Sequence, residues 1–148
     1  MKITALIVLA VAAVFLAACG GGGDNRLSKE DFQQQANAIC KRYDAKIKAL
    51  GTPTSVADIP DFVEKGVPLI RQGLAELRAL KPPAELEDDY NQMLDETEKA
   101  IPAARKLADA AAKQDAAAVQ EALQEGNAAD NASDRIATKL GLSDCAAD

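Results

Sequence analysis

Histidine is absent from all 148 residues. That gap removes Ser-His-Asp and Cys-His nucleophilic systems, histidine-ligated haem, and the Glu-x-x-His pairs that build metal sites in helical bundles. Aromatic residues are scarce, with three Phe, two Tyr and no Trp. Basic excess is lacking too: 17 Lys and Arg face 23 Asp and Glu. A chain of that balance repels phosphate backbones and anionic headgroups, which argues against nucleic acid as a partner and against a polybasic membrane face. A phosphate-binding loop is also missing, because the run Gly20 to Gly23 lacks the strand and helix that give such glycines their meaning. No motif for a cofactor is found, and strand-like alternation does not occur.

What is present begins with an address. Lys2 supplies one positive charge, and Ile3 to Ala18 are apolar apart from Thr4, the order of a secretory signal. The segment is short for a transmembrane helix, which needs about 20 apolar residues. Leu16-Ala17-Ala18-Cys19 then resembles the lipobox of bacterial lipoproteins. That resemblance implies cleavage before Cys19 and lipidation of its thiol and new amino group. Two acyl chains suffice for stable anchoring where one does not. A signal peptide over 1–18 is therefore expected, followed by a lipidated, glycine-rich tether over 19–27 and a folded domain over 28–148. The glycine after Cys19 resembles the sorting signal for the outer membrane in cells that have two membranes. With one membrane, the domain would face outward from it. Without Lys2, the mature chain keeps 16 basic residues against 23 acidic ones, a net charge of about −7.

Outside the reducing cytoplasm, the two remaining cysteines, Cys40 and Cys145, are expected to form one disulfide. Cys40 sits in the first expected helix and Cys145 just past the last, so the bridge would pin the C-terminus to the first helix. With only two thiols and no histidine, the alternative of a metal site is poorly equipped, and no metal is expected.

Apolar spacing is helical throughout. Ser28 can cap a first helix with Asp31 completing the capping box, and Phe32, Ala36, Ile39, Tyr43, Ile47 and Leu50 form one stripe until Gly51 and Pro53. A second helix starts at Asp58 to Asp61 and carries Phe62, Leu69, Ile70, Leu74, Leu77 and Leu80, with a kink expected at Pro68. Pro82 and Pro83 open a third, whose acids at Glu85, Glu87, Asp88 and Asp89 suit a helix N-terminus. Tyr90, Leu94, Ile101, Leu107 and Ala111 face inward, and Pro102 is expected to bend or shorten this helix. A fourth starts at Asp115, buries Val119, Ala122, Leu123, Ile136, Ala137 and Leu140, and stops at Gly141. Gly126, Asn127, Asp130, Asn131 and Ser133 are poor interior residues, so a break is expected near them. The expected fold is all-α: an antiparallel four-helix bundle, kinked at its prolines and closed by one disulfide, with first and last helices adjacent. Abundant alanine and few aromatics predict a slim core without a wide ligand chamber.

Ala38-Ile39-Cys40, Leu80-Lys81-Pro82-Pro83 and Leu140-Gly141-Leu142-Ser143-Asp144-Cys145 together resemble the small helical lipoproteins common in actinobacteria. The resemblance implies compartment and fold and names no substrate. Candidate chemistry is thin. Asp88, Gln92, Asp95 and Glu96 lie at helical spacing and could share a hard cation, but acids of this kind usually complement a helix dipole. Glu85 with Asp88 or Asp89 could pair as acid and base, an arrangement worth little without burial. Tyr43 and Tyr90 could orient a ligand, though core spacing favours packing. Asn131-Ala132-Ser133 reads as an incidental glycosylation triplet. The expected function is that of a non-enzymatic, membrane-anchored envelope protein that docks a partner protein. The alternative is a carrier of a small apolar ligand held between helices.

Overall fold

The computed structural model describes residues 25–146, and over them the chain is all-α. The signal segment 1–18, the lipidation site Cys19, the glycines that follow, and Ala147 and Asp148 lie outside the described residues. Four helices form: α1 Lys29–Lys48, α2 Ile59–Arg78, α3 Glu87–Ala112 and α4 Ala116–Leu140. Short 3-10 turns lead into α2 and α3 at Val56–Asp58 and Ala84–Leu86, and a third, Ser143–Cys145, follows α4. Among the described residues no helix is long and apolar enough to cross a membrane.

The helix ends obey local chemistry. The Ser28 hydroxyl accepts from the Asp31 amide at 3.1 Å and donates to the Asp31 carboxylate at 2.8 Å. The Asp115 carboxylate accepts from the Ala118 amide at 3.1 Å. Caps of this kind each contribute about 1 kcal/mol by satisfying donors that the helix leaves over. Ahead of α2, Asp58 accepts from the Thr54 hydroxyl and the Thr54 and Ser55 amides, bonds that hold its carboxyl below the usual range. Gly141 ends α4 at φ +75°, a left-handed conformation that glycine adopts without a Cβ penalty.

The expected shortening of the third helix at Pro102 and the break near residues 126 to 133 do not occur. Pro68 and Pro102 lie within α2 and α3, which run unbroken through them. Both rings sit on exposed faces, where water can satisfy the carbonyl each proline leaves without a donor. α4 is likewise continuous across residues 126 to 133. Tertiary contacts there override weak propensity. Ser133 is buried and shares a 2.8 Å hydrogen bond with Thr97 of α3, and Ala129, one turn earlier on the helix, is buried too. Gly126 faces Ala103 closely, a Cβ there lying 3.8 Å from the Ala103 methyl. Small residues on both sides, Ala103, Ala110, Ala111, Ala122 and Ala129, let α3 and α4 approach over their whole length.

The largest fully buried side chains are Tyr90, Phe32, Met93, Leu94, Leu140 and Leu142. Phe32 meets Tyr90 edge to face at 4.8 Å, and the Tyr90 hydroxyl donates to the Leu77 carbonyl at 2.9 Å, so the one polar atom of this ring is satisfied. Two expected core residues are not in the core: Leu50 and Leu123 are each 37% exposed. Leu50 falls beyond the last turn of α1. Leu123 points away from the alanine seam that Ala122 already fills. Arg26 and Leu27, at the end of the expected tether, are held by bonds from the Arg26 guanidinium to the Pro82 carbonyl and Glu87, and from the Leu27 amide to the Lys81 carbonyl.

Neighbouring helices are read from their contacts. Lys106 of α3 pairs with Glu125 of α4, Thr97 with Ser133, and Asp89 with Lys139. Arg78 of α2 reaches Asp95 and Glu98 of α3, and Arg42 and Tyr43 of α1 reach Glu76 of α2. α1 meets α4 differently. Their close approach is confined to the end of α4, where the Gln33 amide donates to the Leu140 carbonyl at 2.7 Å and that of Asn37 to the Gly141 carbonyl at 3.3 Å. Beyond that point α1 leans on α2 and on the C-terminal turn instead.

Candidate functional site

The divergence of α1 from α4 leaves an open groove. Its volume is about 820 Å³, within the range that holds small organic ligands. Ile39, Tyr43 and Ile47 of α1 form one wall, and Ile70, Gly73, Leu74 and Leu77 of α2 form the floor. Thr97, Asp130, Ser133 and Asp134 form the opposite wall, and the turn Ser143–Cys145 with Ala146 closes one end. This groove is open to solvent and lies beside the core, so it is not the wide chamber between helices that the alanine content spoke against. Alanine draws α3 and α4 together, and the groove lies between α1 and the face of α4 that carries Asp130, Ser133 and Asp134.

Three features fix the shape. First, Gly73 lets α1 rest directly on α2: a Cβ at this position would lie 3.1 Å from the Tyr43 ring. Second, the Tyr43 hydroxyl donates to Glu76 at 2.6 Å, and Arg42 pairs with the same carboxylate. The bond to Glu76 raises the Tyr43 hydroxyl above its usual range and lowers the Glu76 carboxyl below its own. Lys46 adds its ammonium 4.2 Å from the centre of the Tyr43 ring. Third, Cys40 and Cys145 are joined as a disulfide, with Cα atoms 5.0 Å apart across 105 positions of sequence. The bridge ties the final turn to α1. It is helped by the Asn37 side chain, which accepts from the Asp144 amide at 2.9 Å.

Polarity in the groove is uneven. Thr97 and Ser133 satisfy each other, and the Thr97 hydroxyl also bonds the Met93 carbonyl at 3.0 Å, so the inner wall holds no orphaned polar atom. Asp130 lies one helical turn before Asp134 on α4. Partial burial and the neighbouring charge of Asp134 raise the Asp130 carboxyl above the usual range. Asp44 is bridged to Lys48 at 2.8 Å.

The other candidates from sequence do not converge. Asp95 is engaged by Arg78 and Glu96 by Lys99, while Asp88 and Gln92 are exposed. Among the described residues no cluster of three potential ligands is arranged for a metal. Glu85 is exposed in its 3-10 turn and Asp89 is paired with Lys139. Of the two tyrosines, Tyr43 lines the groove while Tyr90 is locked in the core, where burial drives its hydroxyl far above the usual range. Ser133 of the Asn131-Ala132-Ser133 triplet is a buried helical residue. Sequence reasoning missed the groove because its lining residues, taken singly, look like ordinary core. The available signal was the row of short and polar residues at 126 to 134 on a helix that was expected to break there.

Compared with known protein families, curated proteins and solved structures, the chain matches none.

Proposed function

We propose that this protein is a non-enzymatic lipoprotein of the bacterial envelope that holds a small apolar molecule in the groove between α1, α2 and α4. The groove itself carries the reading: about 820 Å³ in a chain of 148 residues, floored by aliphatic side chains and walled by a disulfide-pinned turn. In this account the signal over 1–18 directs export, and acyl chains on Cys19 hold the protein on the outer face of a membrane. The four helices form an antiparallel bundle that is open along the seam between its first and last members. Reversals of contact order support that topology, since residues late in one helix meet residues early in the next. Chemistry on the bound molecule has no part in this reading. The extracytoplasmic setting is supported by the lipobox at Leu16 to Cys19 and by cysteines that pair.

The direct test is titration of the chain from Asp24 onward with N-phenyl-1-naphthylamine, a neutral apolar probe that fluoresces when shielded from water. The helices, their caps, the core and the cystine all lie within residues 25–146. Saturable 1:1 binding, abolished when Ile70→Trp fills the floor, is the expected result. Its absence in a folded, oxidised sample contradicts the proposal. Anchoring is tested separately by incorporation of labelled palmitate in cells, expected for the native chain and lost in Cys19→Ser.

Docking of a partner protein is a second reading, favoured by Leu50 and Val56, which are 37% and 49% exposed near the turn between α1 and α2. Photocrosslinking from position 56 in intact cells tests it, with a discrete adduct expected if a partner sits there.

A further inference from the structure

The placing of hydroxyl protons narrows what the groove can hold. Among the described residues Ser133 is the one buried residue with a purely polar side chain, 6% exposed, and it lies in the groove wall with Thr97. One and three turns earlier the same face of α4 is filled by Ala129 and Ala122, so close packing on α3 does not by itself call for a hydroxyl. Three contacts compete for two protons: Thr97 with Ser133 at 2.8 Å, Thr97 with the Met93 carbonyl at 3.0 Å, and Ser133 with that carbonyl at 3.4 Å. Both short contacts are made when Thr97 donates to Met93 and Ser133 donates to Thr97. A hydroxyl has one proton and two lone pairs, so the Ser133 oxygen then keeps both lone pairs and the Thr97 oxygen one. The reverse arrangement also spends both protons, on one short and one long contact. Tyr43, the third hydroxyl of the inner walls, gives its proton to Glu76. Ser143, Lys41 and Lys48, the other side-chain donors of the lining, are exposed to water. Inside, the groove therefore offers hydroxyl lone pairs and no hydroxyl proton.

We propose that the groove selects apolar molecules that carry a hydroxyl group, long-chain alcohols as a class, with the ligand O–H donating to the Ser133 oxygen and the hydrocarbon lying over Ile39, Ile70 and Leu74. This rests on the reading of the groove as an apolar ligand site and adds the polar group that its ligand carries. Discrimination comes from a mismatch. An ether or ester oxygen placed at Ser133 meets lone pairs only, so two oxygens leave water without a partner, whereas an alcohol pairs both. Ser133 is then a specificity residue as well as a tie between α3 and α4.

The experiment compares decanol with methyl nonyl ether, isomers that differ in whether the oxygen carries a hydrogen, each below its solubility limit. Both are titrated against the chain from Asp24 onward by displacement of N-phenyl-1-naphthylamine. Decanol should lead the ether by about fivefold, the size of one neutral hydrogen bond. Ser133→Ala should bring the ratio of the two affinities close to one. Thr138→Ala removes another hydroxyl of α4, which bonds the Asp134 carbonyl at 2.8 Å and lies outside the groove, and should leave the ratio intact. Equal affinity of the native chain for the two isomers overturns the proposal while the ligand site stands. So does a Ser133→Ala chain that binds both isomers more weakly at an unchanged ratio, which is what a purely structural role for the serine gives. Failure of both isomers and of N-phenyl-1-naphthylamine to bind overturns the ligand site and this proposal together. If Ser133→Ala unfolds the chain, the native protein decides by nuclear Overhauser contacts from bound decanol. The methylene next to the oxygen should lie against the Ser133 side chain, and contacts that place it elsewhere overturn the proposal.

Discussion

Loss of the Cys40–Cys145 bridge has a consequence that can be worked from the structure. The bond closes a loop across 105 positions of sequence. The loop-entropy relation assigns such a closure about 16 cal/mol/K, or about 4.7 kcal/mol at 25 °C, taken from the unfolded chain. Unfolding entropy of about 2.1 cal/mol/K per residue over residues 25–146 converts this to a fall in melting temperature of about 18 °C. The folded state should survive in outline. Leu142 is fully buried and its amide still bonds the Ala137 carbonyl at 2.9 Å, so only the final turn is set free. The perturbation is Cys40→Ala with Cys145→Ala, which leaves no lone thiol. The assay is thermal and urea unfolding by circular dichroism, beside the oxidised parent and the parent reduced in place. Far-ultraviolet helix content should be kept at low temperature, and affinity for N-phenyl-1-naphthylamine should weaken as the end wall of the groove frays. A melting shift below about 3 °C, with the bridge shown intact in the parent by mass, would refute the entropic argument.

Other outcomes follow from single contacts. Tyr90→Phe removes the hydroxyl that donates to the Leu77 carbonyl, which keeps the Leu80 amide at 3.0 Å as a second donor, so the cost in urea unfolding should be about 0.5–1.5 kcal/mol. Gly141→Ala combines a positive φ with a Cβ 2.4 Å from the Gln33 amide nitrogen, so a loss of about 1–2 kcal/mol or more is expected, together with weaker docking of α1 on α4. The raised Asp130 carboxyl opposes folding while it is ionised. Asp130→Asn should therefore raise the melting temperature at neutral pH, and the gain should vanish as the pH falls far enough to protonate the native aspartate. Glu76 behaves in the opposite sense. Its carboxyl is lowered, so its contribution is full above its unfolded value of 4.5 and is lost as the pH falls through the folded one. Glu76→Gln should accordingly flatten the acid limb of a plot of melting temperature against pH.

Much of the fold was legible because local signals agreed. Ser28 with Asp31, Asp115 and Gly141 mark helix ends through side-chain or backbone chemistry that needs no tertiary context, and the structure places the ends there. The stripe Phe32, Ala36, Ile39 and Tyr43 is buried as its spacing required. The pairing of Cys40 with Cys145 followed from compartment and count. Propensity failed where packing outweighed it, at residues 126 to 133, because the hydrogen bond between Ser133 and Thr97 and the alanine seam with α3 hold α4 together as one helix. Both helices continue through their prolines for a related reason: Pro68 and Pro102 face water, where a missing donor costs little. The groove was hidden because it depends on a relation between helices. Gly73 sets how closely α1 lies on α2, and the face of α4 that carries Asp130, Ser133 and Asp134 forms the opposite wall.

The central claim is that this seam is a ligand site, and amide chemical-shift mapping tests it most directly. The 15N-labelled chain from Asp24 onward is titrated with N-phenyl-1-naphthylamine. The account predicts saturable shifts at Ile39, Tyr43, Ile70, Leu74 and Ser133 on the facing walls, with Ala110 and Val119 in the separate small cluster between α3 and α4 unmoved. Shifts that never saturate, or that gather around Ala110 and Val119 while the groove stays silent, would contradict it.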